Sequence, residues 1–282
     1  MEFLGQGKPI NQVNPLVSVC VPTFNHGKFI RSCLESIIIQ ETDFPFEILI
    51  GEDDSADETR AICLELAQAH QDKIRLFLRN KEDKIFLFGR KSGRGNHLGL
   101  YGSCRGKYIC ICDGDDLWND PLKLQKQVDA MEKYTSASMC ITNSYMEMNP
   151  GQNPPGVPDQ FKVFDRKSLN KIFYMGHISN WMMRNEMREL LSNEIVKKPI
   201  PLDKVLFSFY KKKGDIVYLP DTTTTYRYNP NGIYLSQPKK KNQRALLRHN
   251  WYLFRFIHKD PLLWLRSGLY ILRRYFVNFN DF

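Results

Sequence analysis

The apolar positions of the first 130 residues fall into two alternating rhythms. Leu16 to Val21 is an almost unbroken, largely β-branched run closed by Pro22, which predicts a strand buried on both faces. Ile30, Cys33, Leu34, Ile37 and Ile38 then recur at helical spacing and form one apolar stripe. Phe46 to Ile50 predicts a second buried strand. Asp57 to His70 predicts a second helix with Ile62, Leu66 and Ala69 inward and Ser55 or Asp57 as N-cap. Ile74 to Leu78 is a third strand and Tyr108 to Cys112 a fourth; between them lies the polar, Gly-rich stretch Asn80 to Gly106, with a helical segment near Leu98 to Cys104. Pro121 opens a further helix, Leu122 to Tyr134.

Such alternation predicts βαβ units and an α/β fold with a mainly parallel sheet flanked by helices. Ligands of such sheets bind outside the carboxyl ends of the strands. Pro22-Thr23-Phe24-Asn25, Glu52-Asp53-Asp54-Ser55 and Asp113-Gly114-Asp115-Asp116 each follow directly from an apolar run, so all three are expected at one crevice. Beyond them, Ser138 to Met148 reads as a strand and Asn149 to Asp159 as a Pro- and Gly-rich loop. Helices are expected at Arg166 to Tyr174 and Leu202 to Lys212, and a short strand at Ile216 to Leu219 leads into the Thr-rich Asp221 to Tyr228. The expected organisation is an N-terminal extension (1–15), a main domain (16–235) with halves at about 16–130 and 131–235, and a tail (236–282).

Charge changes this picture only at one end. The chain of 282 residues carries a formal +9, from 40 Lys and Arg against 31 Asp and Glu. From Lys239 to Phe282 there are 10 basic residues and 2 acidic ones, a net of +8 that leaves +1 for everything before. The tail interleaves its arginines with Trp, Tyr, Phe and Leu, a pattern suited either to an anionic membrane surface or to packing as a C-terminal helix on the domain. Near neutrality of the body speaks against a nucleic-acid partner. Seven cysteines with no C-x-x-C pair fit a reduced chain, and Cys110 and Cys112, on one face of a strand, are expected as small buried hydrophobes. The N-terminus lacks the pattern of a secretory signal, and no run of about 18 apolar residues is present to span a membrane. A cytoplasmic protein is the resulting expectation.

The chemistry is concentrated in the acids. Asp113, Asp115 and Asp116 place three carboxylates in one turn, where mutual repulsion calls for a hard divalent cation; Mg2+ or Mn2+ suits oxygen ligands, whereas Zn2+ would want His or Cys. The same turn would also serve as a solvated loop capping the next helix. Glu52, Asp53 and Asp54 form a second cluster, able either to cap a helix or to accept hydrogen bonds from a nucleoside. There is no G-x-G-x-x-G and no G-x-x-x-x-G-K-[ST], which argues against a dehydrogenase and a P-loop NTPase.

These residues together resemble a family 2 inverting glycosyltransferase of the GT-A, nucleotide-diphospho-sugar transferase fold. Val17 to Asn25 resembles its first strand and P-T-[FY]-N turn, and Phe46 to Asp57 its E-I-[IL]-[IV]-x-[DE]-D-x-S-x-D segment. Gly106 to Ile109, Asp113 to Trp118 and Asp120 to Val128 resemble a branch written G-K-Y-I-x-x-x-[DE]-G-D-D-x-W-x-D-P-x-K-L-Q-K-Q-V. The resemblance implies that Pro22, Thr23 and Phe24 line a nucleobase pocket, with Phe24 stacking on the base and Asp53 contacting it, and that Asn25, Glu52, Ser55 and Gly114 belong to the same donor site. It implies Asp115 as metal ligand with Asp113 and Asp116 beside it, Arg94 and Asn96 near the donor's phosphate and sugar, and His177 and Arg227 as phosphate or acceptor contacts. For His177 a buried structural role is an equal alternative. It implies a carboxylate base at a helix start, which selects Asp203, with Leu202 in place of the usual Gly and with Glu186 and Glu194 as competitors. The implied activity is metal-dependent transfer from a nucleotide-sugar, UDP-linked in the commonest case, to a glycan or lipid-linked acceptor in surface polysaccharide synthesis at the inner face of a bacterial cell membrane. A sugar-1-phosphate nucleotidyltransferase and a non-catalytic membrane adaptor on the same fold are the rival expectations.

Overall fold

The computed structural model describes residues 1–4, 13–87, 89–154, 156–230 and 239–277. The strands are β1 (Glu2–Phe3), β2 (Val17–Thr23), β3 (Phe46–Glu52), β4 (Ile74–Leu78), β5 (Ile85–Leu87), β6 (Arg90–Ser92), β7 (Tyr108–Ile111), β8 (Leu117–Trp118), β9 (Ala137–Met146), β10 (Lys162–Phe164), β11 (Trp181–Arg184) and β12 (Asp215–Tyr226). The helices are α1 (Ile30–Ile38), α2 (Thr59–Ala69), α3 (Arg94–Ser103), α4 (Lys123–Lys133), α5 (Arg166–Leu169), α6 (Met187–Ser192), α7 (Leu202–Lys213), α8 (Lys239–Leu253) and α9 (Pro261–Val277).

One sheet runs in the order β1-β4-β3-β2-β7-β11-β9-β12-β10, with β8 on β12; β5 and β6 form a separate ribbon. Strands β4, β3, β2 and β7 are parallel, while β11 enters antiparallel between β7 and β9. The sheet is thus mixed: parallel where the donor half was expected and interrupted beyond it. From β2 the chain moves outward to β3 and β4, then returns to the other side of β2 as β7. That reversal opens a crevice at the carboxyl ends of β2 and β7.

Period-two alternation accounts for the two cores. Val17, Val19, Val21, Ile48, Ile50 and Cys110 face one cluster with α1, α2 and α4, whereas Cys20, Leu49, Ile109 and Ile111 face the other with α3, α6 and α7. Cys110 and Cys112 are fully buried, as expected of small hydrophobes. The helix expected at Arg166 to Tyr174 is reduced to the single turn α5, after which Tyr174 packs on Trp181 and Phe207 in the core. The Thr-rich segment is not a separate loop; it continues the strand β12 to Tyr226. The tail forms two helices joined by a π-helical turn, Phe254–His258, and Ile257 of that turn is 5% exposed within the second core. Asn193 and Lys212 donate to the carbonyls of Phe256 and Ile257, at 3.1 and 2.7 Å. The tail therefore packs on the domain, while α9 leaves Leu262, Leu265, Leu269 and Leu272 exposed. The expected boundary at 235/236 lies outside the described residues.

Candidate active site

The three loops meet as the strand pattern requires. The Gly114 N–H donates to the Pro22 carbonyl and the Asp53 N–H to that of Thr23, both at 3.1 Å. Asn25 adopts φ 55°, and its own N–H reaches Ser55 Oγ at 2.9 Å while its side-chain oxygen accepts from the Ala56 N–H at 2.9 Å. Asn25 and Ser55 thus clamp the first two loops together. A Cβ at Gly114 would stand 2.7 Å from Thr23 Oγ1 and 2.8 Å from His26 Nδ1, so only glycine lets the acidic turn lie against β2.

At the outer end, Phe24 is 44% exposed and the Lys84 ammonium stands 3.9 Å from its ring centroid. Lys84 also pairs with Asp53 Oδ2 at 3.6 Å. Burial raises the Asp53 carboxyl above its ordinary range, with Lys84 opposing. An exposed aromatic face beside a carboxylate and a cation suits a nucleobase.

The acidic turn itself divides. Asp113, Asp116 and His177 bring ligand atoms within 4.8 Å of one another. Asp116 Oδ2 accepts from Ser179 Oγ at 2.5 Å and lies 3.3 Å from His177 Nδ1. Burial and then Asp116 push the Asp113 carboxyl up to about 8, and burial and then Asp115 raise Asp116 as well. Asp115 points elsewhere: its Oδ2 accepts from Asn229 Nδ2 at 2.9 Å and lies 3.6 Å from His26 Nε2. Asp113 and Asp116, expected beside Asp115, are thus gathered with His177, while Asp115 is held next to His26. Closely held carboxylates that resist ionisation, with an imidazole beside them, fit a divalent cation.

Four of the expected contact residues carry hydrogen bonds within the protein. Glu52 is fully buried, accepting from the Ser55 N–H at 2.7 Å and from the Arg60 guanidinium. Asn96 is held against β3, donating to the Gly51 carbonyl at 2.7 Å and accepting from Arg79 at 3.3 Å. Arg227 spends its guanidinium on the carbonyls of Asp115, Asp116 and Phe29 and on Ser32 Oγ, at 2.6 to 2.9 Å, which makes it a strut under the acidic turn. Arg94 also turns from the donor: it is buried and donates to the Val196 carbonyl at 3.0 Å and to that of Ile200.

Asp203 sits in the first turn of α7. Its charge is felt by Asp113, His177, Tyr174, Arg94 and Lys204. Glu194, one competitor, pairs at the surface with Lys197 at 2.8 Å. Residues not foreseen are His26, Lys84, Ser179, Asn229 and Tyr226, the last stacking on His177 with centroids 4.3 Å apart. Of these only His26 had a local signal, as the residue closing the Pro22 to Asn25 turn.

Comparison with known proteins decides the family. The description Glycosyl transferase family 2 matches residues 18–191, more than half of the chain. The chain belongs to that family. Curated family relatives include an uncharacterized protein of Mycobacterium tuberculosis, 27% identical over 223 residues that cover 78% of this chain and 61% of that one. The chain thus spans about three-fifths of the length of this relative. A dolichyl N-acetyl-alpha-D-glucosaminyl phosphate 3-beta-D-2,3-diacetamido-2,3-dideoxy-beta-D-glucuronosyltransferase of Methanococcus voltae is 32% identical over 93 residues, covering 31% of this chain and 28% of that one. Among solved structures, S. aureus TarS 1–349 in complex with UDP-GlcNAc matches with TM-score 0.61 at 17% identity, covering 93% of this chain and 72% of that one. The mannosyltransferase PcManGT of Pyrobaculum calidifontis, in complex with GDP-Man and Mn2+, matches with TM-score 0.61 at 17% identity, covering 93% and 71%. These two structures support the GT-A fold of this family 2 chain.

Proposed function

We propose that the protein is an inverting, metal-dependent glycosyltransferase that moves a sugar from a nucleotide-diphospho-sugar, UDP-linked, to a hydroxyl of a glycan or lipid-linked acceptor. The observation that carries this reading is the Asp113, Asp116 and His177 set, with Asp203 near enough for its charge to act on Asp113 and His177. Phe24 stacks on the base and Asp53 accepts its hydrogen bond; Pro22 and Thr23 form the floor. Asp113, Asp116 and His177, with Asp115 in the same turn, would hold the cation, and an imidazole among the ligands would favour Mn2+ over Mg2+, which prefers oxygen alone. Such a cation neutralises the charge that grows on the departing diphosphate.

Asp203 then takes the proton of the acceptor hydroxyl as its oxygen forms a bond to the anomeric carbon and the bond to the diphosphate oxygen breaks. One displacement inverts the centre, and no covalent intermediate is needed. Complexes of the matched structures with UDP-GlcNAc and GDP-Man support a nucleotide-sugar donor, and the relative named for a dolichyl-linked sugar phosphate supports a lipid-linked acceptor. The exposed Leu262, Leu265, Leu269 and Leu272, at helical spacing in a basic tail, support a peripheral hold on an anionic membrane face. Among the described residues no helix is long and apolar enough to cross a membrane.

Asp203→Asn is the test. It should bind UDP with Mn2+ as the parent does and lose transfer by about a hundredfold or more, the usual worth of a general base. Unchanged turnover would move the base to another carboxylate.

A further inference from the structure

Lys84 stands immediately before β5 with its side chain 12% exposed, packed down rather than solvated as most lysines are. Its ammonium meets two groups at once: the Phe24 ring, 3.9 Å from the centroid, and Asp53 Oδ2, 3.6 Å away. These are the two groups that the transferase reading gives to the base. Stacked aromatic rings keep their centroids about 4.5–7 Å apart, so the ammonium lies closer to Phe24 than a base would. A base that stacks on Phe24 and donates to Asp53 has to enter the space that this ammonium holds.

The β5–β6 ribbon is built on the same carboxylate. Lys84 precedes β5 and Gly93 follows β6, and a Cβ on Gly93 would stand 3.2 Å from Asp53 Oδ2. Ile85 pairs with Ser92, Phe86 with Lys91 and Leu87 with Arg90, and among the described residues neither strand joins the main sheet. A two-stranded ribbon has little stability of its own, and this one leaves Ile85 and Phe86 40% and 69% exposed. Its foot is fastened at Asp53, so what happens to Lys84 is passed to the ribbon.

We propose that Lys84 is an internal occupant of the nucleobase subsite: its ammonium takes the place of the base until the donor expels it, and the ribbon shifts with it. Lys84 thereby sets the affinity for the nucleotide. The proposal deepens the transferase reading and rests on it in one respect, the assignment of Phe24 and Asp53 to the base. Only molecules with the lysine withdrawn accept the base, and the apparent affinity is lowered by that fraction. A cation–π contact and a largely buried ion pair that must both be given up lower it about tenfold.

The test uses the full chain and uridine, which carries the base without phosphate, so that removing a positive charge does not also weaken attraction to a diphosphate. Lys84→Met keeps an unbranched stem and removes the ammonium. It should bind uridine about tenfold more tightly than the parent in isothermal titration. Lys84→Arg, which keeps a cation over the ring, should bind as the parent does. Phe86→Trp, at an exposed position of the ribbon, reports the shift: its emission should change on saturation with uridine, and change by less than half as much when combined with Lys84→Met. Equal or weaker uridine binding by Lys84→Met overturns the proposal, since the lysine would then be neutral to the base or an aid to it. So does an emission that uridine leaves unchanged. Uridine bound equally by parent and Lys84→Met fails the occupant alone; uridine bound by neither fails the base-pocket reading and the occupant with it. Lys84→Gln repeats the comparison if Lys84→Met does not fold.

Discussion

The acidic turn couples cation, proton and stability, and the coupling has a sign. Asp113 has an ordinary pKa of 3.8 and is pushed up to about 8 in the fold. Between those values the native chain keeps a proton that the unfolded chain has released, so stability falls as pH rises through that window. The stabilising contribution is fully present below the lower value and gone above the upper one. A shift of that size sets a ceiling of about 6 kcal/mol at 1.4 kcal/mol for each pH unit. Asp113 is only half-buried and shares its repulsion with Asp116, so water and the shared charge reduce this to about 2–3 kcal/mol. For a chain of this size that corresponds to about 3–5 °C in melting temperature. The assay is thermal unfolding in chelator at about pH 5 and about pH 8, repeated with Mn2+, for the parent and Asp113→Asn. The parent should lose stability toward pH 8 and regain it with Mn2+, while the Mn2+ effect at pH 5 is small because protons compete for the same oxygens. Asp113→Asn should show a smaller fall and a smaller recovery, because Asp116 keeps its own raised carboxyl. Equal pH slopes for the two proteins, or a Mn2+ effect that does not grow with pH, would refute the reasoning.

Two further outcomes are expected from the same geometry. Gly114→Ala places a Cβ 2.7 Å from Thr23 Oγ1 and 2.8 Å from Thr23 Cβ, and should cost about 1–3 kcal/mol by overpacking while displacing the acidic turn. Denaturant unfolding and Mn2+-dependent UDP binding check it; parent-like values for both would show that the turn has room. Phe24→Ala should weaken UDP binding about tenfold by removing the stacking face, with stability within about 0.5 kcal/mol because the ring is already 44% exposed. Isothermal titration reads the affinity, and an unchanged value removes Phe24 from the base pocket.

Much of the fold was legible because both faces of the sheet are covered. Val17 to Val21, Phe46 to Ile50 and Tyr108 to Ile111 are apolar but for Ser18 and Glu47, which hydrogen-bond to each other at 2.7 Å, and near-continuous apolarity is what a doubly covered parallel strand writes into a sequence. β11 was not legible. Its four residues, Trp181 to Arg184, hold two methionines and a tryptophan, which mark no strand, and pairing with β7 and β9 alone makes them extended. The same tertiary override drew the Thr-rich segment into β12, where Thr224 and Thr225 pair with Trp118 and Leu117. At the site, the acids could be found because they end strands, a local fact. Their partners could not: Ser179, Asn229 and Arg227 reach Asp116 and Asp115 from 63 to 114 residues away, and such contacts leave no local pattern.

The basic tail suited either a membrane surface or packing on the domain, and the fold divides it. Ile257 is locked into the core, and the His249 ring is buried. Among the described residues of the tail, Leu247 and Trp251 of α8 and Leu262, Leu265, Leu269 and Leu272 of α9 stand exposed. Removing the whole tail would therefore strip a core contact together with any lipid contact. Arg266→Glu with Leu265→Ser, both exposed on α9, perturb the outer face and leave Ile257 in place, so that pair, and not truncation, separates a membrane role from packing on the domain.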